Sequence, residues 1–204
     1  MIHALKALVA APLALVTALA LCSLVGCEAE GPQPPPETSL TVQDLEGNPI
    51  DPFAGGDAMA TVFLFTRTDC PISNRYAPEV RRLHETFEPQ GIRFILIYPD
   101  PNQPVDEIRH HLEEFGYPCP AWRDPEHQLV EFCGARITPE AAVFRSSGDL
   151  AYLGRIDDRY VDFGQARAEP NSRDLEAALL AIVNNRPIVT PRTEAVGCYI
   201  ADLK

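Results

Sequence analysis

Of the six cysteines in this chain, Cys70 has the most suggestive surroundings. An apolar run, Val62-Phe63-Leu64-Phe65, and a turn-like stretch, Thr66 to Asp69, precede it, and Pro71 follows it directly. Proline is tolerated best in the first turn of a helix, where its missing N–H would be unbonded anyway. Apolar residues then recur at Tyr76, Val80, Leu83 and Phe87, which is one face of a helix. The pattern predicts a buried strand, a turn, and a helix running to about Glu88, with Cys70 at or beside the N-cap. Free N–H groups and the positive dipole end at that point favour a thiolate, the nucleophilic form of the side chain. Ser73 falls in the first turn, where its hydroxyl is available to the sulfur or to the helix backbone. Asp69 acts in the opposite direction, because its charge raises the pKa of a neighbouring thiol. The plainer reading of Cys70 is a small residue tucked under a turn.

The stretch TDCPISNRYAPE resembles the active-site segment of the thioredoxin superfamily, and most closely the bacterial redoxins of the alkyl hydroperoxide reductase/thiol-specific antioxidant group. The apolar strand, the Cys70-Pro71 helix opening and Pro78, in the place of a helix-kinking proline, carry the resemblance. Two departures matter. Ser73 stands where thioredoxins have the second cysteine of C-x-x-C. Phe63 and Arg67 stand at the Pro and Thr of the peroxidase pattern P-x-x-x-T-x-x-C. The resemblance implies an α/β thioredoxin-like fold, a central mixed sheet with helices on both faces and a strand–helix insertion before a cis-proline loop. It implies that Thr138-Pro139 is that loop, with the Thr138 backbone facing Cys70 and pairing with the substrate chain. It covers roughly residues 38–185, and the late TEAVGCYI segment is similar to this redoxin group as well.

The remaining thiols need partners or roles. The mature domain holds Cys70, Cys119, Cys133 and Cys198, and four cysteines allow three pairings. Cys119 and Cys133 flank a short helix; a bond between them would close a loop of about 15 residues, worth roughly 3 kcal/mol in the chain-entropy model. This pair is read as a structural disulfide, the rival reading being that either cysteine resolves Cys70. Cys198, in a tail beside Gly197, is a candidate resolving thiol, or else a free or structural cysteine in a tail that packs on the domain.

The ends of the chain set its compartment. Residues 1–26 carry Lys6, then a long Ala/Leu/Val run, then Leu24-Val25-Gly26 before Cys27. This reads as a secretory signal. Its end resembles a bacterial lipoprotein box with Cys27 as the lipid anchor, the alternative being a signal-anchor helix that stays in the membrane. Residues 27–37, Pro-rich and acidic, read as an extended tether. The expected location is the cell envelope, lipid-anchored and facing the periplasm, where disulfides form.

A net charge of −12 with no Lys/Arg cluster argues against nucleic acid. The histidines show no metal spacing, and no phosphate loop or serine-hydrolase elbow appears, so no metal and no cofactor is expected. Asp157 and Asp158, between Arg155 and Arg159, read as a salt-bridge network or a docking edge, with local pairs to those arginines. The expected partners are protein thiols or disulfides, or peroxide, together with a redox partner protein. The readings in order are a thiol–disulfide oxidoreductase using Cys70 as a single active-site cysteine, a peroxiredoxin-like peroxidase, and a non-catalytic module docking on a redox partner.

Several elements must position these groups. A hairpin is expected around Gly47-Asn48, and a second buried strand at Ile92–Tyr98. Val105, Ile108, Leu112 and Phe115 mark a helix, and a short helix from Asp124-Pro125 to about Cys133 follows. Ala141–Phe144 and Leu150–Ile156 are expected to pair about Gly148-Asp149, and Leu175, Leu179 and Ile182 to mark a last helix. Residues 186–204 show no periodicity. Strands alternating with helices imply a parallel sheet at the centre.

Overall fold

Two continuous apolar strands form the centre of the fold. A computed structural model describes residues 40–54 and 57–200; the signal segment, Cys27 and the tether lie outside the described residues. Strand β3 (Ala60–Phe65) runs parallel to β4 (Ile92–Tyr98), which runs parallel to β5 (Ala121–Arg123). On the other side β7 (Glu140–Arg145) is antiparallel to β3, and β8 (Leu150–Gly154) continues antiparallel. A small hairpin, β1 (Val42–Gln43) and β2 (Pro49–Ile50), closes the far edge through β5. The seven-stranded order is β2-β1-β5-β4-β3-β7-β8. Parallel strands buried on both faces read as unbroken apolar runs, which is why these two were legible.

Alternate side chains of β3 and β4 feed two separate cores. Val62, Leu64, Phe94, Leu96 and Tyr98 join one, with helices α2 (Ala77–Phe87), α3 (Val105–Phe115) and α5 (Asp174–Val183) packed on it. Phe63, Phe65, Ile95 and Ile97 join the other, covered by α4 (Gln128–Cys133). This is the expected mixed sheet with helices on both faces.

The first long helix is two. A short α1 (Pro71–Arg75) ends at Tyr76, and α2 restarts with Pro78 in its first turn. Pro78 has no N–H to give the Asn74 carbonyl, so the ladder is interrupted there. The helix expected from Asp124-Pro125 begins only at Gln128, after His127 in a left-handed conformation (φ 56°). The buried Asp124 carboxylate still accepts the Val130 N–H at 2.8 Å.

Two features had no periodic signal. A short hairpin pairs β9 (Tyr160–Asp162) with β10 (Gln165–Ala166). The stretch from residue 186 is fixed twice. Arg192 bridges to Leu153 on the β8 edge, with Leu153 N–H to Pro191 O at 3.0 Å and Thr193 N–H to Leu153 O at 3.2 Å. Further on, β11 (Cys198–Tyr199) pairs antiparallel with β6 (Ile137–Thr138).

The first of these fixings rests on Gly154. A Cβ there would lie 2.1 Å from Thr193 Oγ1 and 2.6 Å from the Thr193 carbonyl oxygen. Gly154→Ala is therefore expected to destabilise the domain by about 2 kcal/mol through overpacking, seen as a lower denaturant midpoint. An unchanged midpoint would show that the 191–193 segment contributes nothing to stability.

Candidate functional site

Cys70 caps α1. Its backbone is extended (φ −86°, ψ 109°), Pro71 occupies the first turn, and its Sγ accepts the Ser73 N–H at 3.5 Å. The side chain is fully buried. Its thiol donates to the Thr138 carbonyl oxygen at 3.1 Å. The Thr138-Pro139 peptide is cis, as the resemblance implied. The two halves of the site, sixty-eight residues apart in sequence, therefore meet at the sulfur.

Burial opposes ionisation of Cys70, but donors outweigh it and its pKa lies below the ordinary thiol value. The Ser73 side chain and backbone are the main contributors, followed by Cys198. The Ser73 hydroxyl is buried and committed to no other group, so it can turn its hydrogen to the sulfur and favour the thiolate there. Asp69 is the charge expected to oppose the thiolate. It is exposed and paired with Arg67 at 2.8 Å, which blunts its effect on the sulfur.

Cys198 comes to the site from the C-terminal strand. Its Sγ lies 3.1 Å from Cys70 Sγ, and its register partner is Thr138. Burial, then the contact with Cys70, pushes its thiol up to about 12. The two thiols of the pair are thus shifted in opposite directions, Cys70 down and Cys198 up.

Cys119 and Cys133 do not meet. Both are free thiols, Cys119 in the core under α2 and α3 and Cys133 in the core under α4. The sheet lies between them, so the expected structural disulfide is absent. Flanking one short helix did not imply proximity, because the chain passes from one face of the sheet to the other between them. Burial raises both thiols, Cys119 to about 12 and Cys133 beyond the usual range, as suits inert core residues.

A buried polar relay behind the Cys70 turn had no sequence signal. Asn74 Nδ2 donates to the Thr68 carbonyl at 2.9 Å, and Asn74 Oδ1 meets His111 Nε2 at 2.8 Å. His111 Nδ1 meets the Tyr98 hydroxyl at 2.8 Å. An amide oxygen only accepts, so Nε2 carries a proton, and burial disfavours a second one, which leaves Nδ1 to accept from the Tyr98 hydroxyl. Burial lowers its pKa to about 4. Tyr117 adds a hydrogen bond to the Ser73 carbonyl at 3.4 Å. These groups hold the turn and the first helix rather than touch the sulfur. Only a buried histidine on the inner face of α3 would have hinted at them.

The acidic cluster is structural. Asp157 accepts from the Tyr76 hydroxyl at 2.5 Å, and Asp158 accepts the N–H groups of Asn171 and Ser172 at 2.6 and 2.9 Å. Arg155 pairs with Asp174 at 2.7 Å and not with the neighbouring aspartates, and Asp158 pairs with Arg167 at 3.5 Å. Among the described residues no group of His, Cys, Asp or Glu has the arrangement of a metal site, and no helix is long and apolar enough to cross a membrane.

Comparison with known proteins bears on the family and the fold. A model of the AhpC/TSA family matches residues 33–153, more than half of the chain. No curated protein sequence matches. An uncharacterized conserved protein of Geobacillus kaustophilus superposes with a TM-score of 0.69 at 24% identity, over 79% of this chain and 87% of that one. A thiol:disulfide interchange protein of the thioredoxin family from Chlorobium tepidum gives 0.51 at 18% identity, over 74% and 97%. A secreted disulfide oxidoreductase of Mycobacterium tuberculosis gives 0.50 at 15%, over 72% and 96%. At these identities the likeness is one of fold, and the fold is thioredoxin-like.

Three measurements check the site. Ser73→Ala is expected to raise the midpoint of the Cys70 thiolate absorbance titration; an unmoved midpoint would remove Ser73 from the site. After mild oxidation and unfolding, Cys119 and Cys133 are both expected to take up an alkylating label, and protection of the two together would restore the disulfide between them. His111 sets an acid limit. Its folded pKa of about 4 lies below the ordinary histidine value of 6.5, so the unfolded chain binds the proton first. Stability is full above about pH 6.5 and falls as pH drops toward about 4, by up to about 3 kcal/mol. His111→Gln is expected to flatten that part of the profile.

Proposed function

The chain belongs to the AhpC/TSA family, and on that premise we propose that it is a thiol–disulfide oxidoreductase in which Cys70 is the single attacking cysteine. The observation that carries this reading is the placement of Cys70 Sγ. It sits at the N-cap, in contact with the Ser73 N–H and 3.1 Å from the Thr138 carbonyl beside the cis-proline. An extended chain hydrogen-bonded along Ile137–Thr138 would present its sulfur to Cys70.

The thiolate attacks one sulfur of a partner disulfide. A Cys70–partner bond forms as the partner's own S–S bond breaks, and the departing sulfur leaves as a thiolate and takes up a proton. Ser73 occupies the place of the second cysteine of C-x-x-C, so it leaves no neighbouring thiol in the helix to release the mixed disulfide. Its role is to favour the thiolate. Thr138 and Pro139 shape the edge on which the partner lies.

The peroxidase alternative is poorly served by the residues around the sulfur. Arg67, at the position of the peroxidase threonine, is paired with Asp69. Phe63, at the position of the proline, is buried in the core beneath α4. We place the domain on the outer side of the cytoplasmic membrane, with Cys27 lipidated; the support is the sequence of the first 27 residues.

Incubation with a disulfide-bonded model protein such as insulin is expected to give a mixed disulfide that maps to Cys70, and Cys70→Ser to reduce exchange at least about 100-fold, since the thiolate is the reacting group. If the wild-type chain forms no mixed disulfide yet binds the protein, the docking-module reading takes its place. If hydrogen peroxide converts Cys70 to sulfenic acid far faster than an ordinary thiol, the peroxidase reading does. In bacterial cells Cys27→Ser is expected to move the protein from the membrane to the soluble fraction of the envelope; unchanged membrane association would remove the lipid anchor.

A further inference from the structure

The edge that the proposed function assigns to the partner is already occupied by this chain. Strand β11 lies antiparallel on Ile137–Thr138, with Cys198 opposite Thr138 and Tyr199 opposite Ile137. The Ile200 N–H reaches the Arg136 carbonyl at 2.9 Å, and the Thr138 hydroxyl reaches the Cys198 carbonyl at 3.4 Å. The pairing puts Cys198 Sγ 3.1 Å from Cys70 Sγ. With that strand in place Cys70 is fully buried, so no partner disulfide reaches it until the strand moves.

The strand is held unevenly. Its outer end is seated by Ile200, which is buried in the core beneath α4. Its inner end passes over Thr138 with no clearance: a Cβ on Gly197 would lie 2.0 Å from the Thr138 carbonyl oxygen and 2.7 Å from its carbon. Upstream, residues 191–193 are fixed separately to β8. The strand can therefore leave the proline loop while its root stays on the sheet, and only a few residues separate root and strand. A segment tethered so closely returns at high effective concentration.

Resting on the reading of Cys70 as the attacking thiol, we propose that residues 196–200 are a tethered strand that alternates with the partner on the β6 edge, and that its return both expels the partner and delivers Cys198 as the resolving thiol. The partner displaces the strand and forms its mixed disulfide with Cys70. The returning strand then brings the Cys198 thiol to the Cys70 sulfur. Cys198 loses its proton and attacks; the Cys70–Cys198 bond forms, the Cys70–partner bond breaks, and the partner's second sulfur leaves as a thiolate that takes up a proton. The partner disulfide ends as two thiols and this chain ends as one disulfide. An external dithiol reductant resets it. Because partner and strand use one edge in one register, the residue before the partner's reacting cysteine falls where Gly197 lies. The partner class is thus an extended polypeptide with glycine before its cysteine.

The test uses the full chain and a peptide of the strand's own sequence, Ala-Val-Gly-Cys-Tyr-Ile, carrying thionitrobenzoate on its cysteine as a disulfide. Release of the chromophore reports attack by Cys70, and mass spectrometry follows the later loss of peptide from the mixed disulfide. Ile200→Ala and, independently, Gly197→Ala are expected to speed the attack and slow the loss of peptide, each on the order of tenfold, since unseating the strand costs a buried side chain or a close contact. Opposite movement of two steps is not what a general loss of stability produces. Cys198→Ser is expected to keep the attack and trap the peptide on Cys70. A peptide with valine in place of glycine is expected to react at about a tenth of the rate, in keeping with the same steric cost.

The two readings fail differently. Chromophore release by Cys70→Ser at the wild-type rate overturns the assignment of the attacking thiol. Release that needs Cys70, with the peptide lost equally fast from Cys198→Ser, or with both strand variants leaving the two rates unchanged, overturns the alternating strand alone.

Discussion

The contact between the Cys70 sulfur and the Thr138 carbonyl is the constraint on which this structure turns. It joins the start of a helix to a loop sixty-eight residues later, at a separation of 3.1 Å, so both ends must be positioned by the fold. The parallel pair β3 and β4 delivers Cys70, because β3 ends at Phe65 and the turn that follows places the sulfur beyond the carboxyl end of this central strand. The antiparallel neighbour β7 delivers the loop, because its first residue, Glu140, follows the cis-proline directly. Glu140 is itself buried and accepts the Arg136 and Ile137 N–H groups at 2.7 and 3.2 Å, which shapes the loop from below.

Reactivity at the sulfur is a balance of opposed effects of similar kind. Burial disfavours the thiolate and local donors favour it, and here the donors prevail. The relay through Asn74, His111 and Tyr98 costs buried polar groups, but each is satisfied within it. A fully paired relay of this sort fixes the turn that presents Cys70 without adding charge near the sulfur. The same logic separates the four thiols. Cys119 and Cys133 are buried among apolar groups with no donor set of comparable strength, and burial raises both.

The C-terminal strand covers the backbone edge beside Cys70. An open backbone edge beside a reactive sulfur is the feature that recognises an extended chain, and it is also a feature that invites unwanted pairing. Here a segment of the same chain covers the edge, and its register places Cys198 opposite Thr138 and 3.1 Å from the Cys70 sulfur. Gly197 is required by the close approach of two backbones, not by any turn.

How much of this was legible follows from which interactions are local. The sequence by itself determined the two buried strands, the capped helix with Cys70 at its start, and the helix faces at Val80-Leu83-Phe87 and Leu175-Leu179-Ile182. Their signals are periodicity, proline placement and capping, which act within a few residues. The thioredoxin-like arrangement and the Thr138-Pro139 loop were legible only through resemblance. Tertiary structure alone decided that Cys119 and Cys133 stay apart on two faces of a sheet, that Arg155 pairs with Asp174, that Asn74 and His111 form a relay, and that a tail without periodicity ends as a strand against Cys70. Each of these depends on which distant residues the fold brings within a few ångströms, and no spacing along the chain encodes that distance.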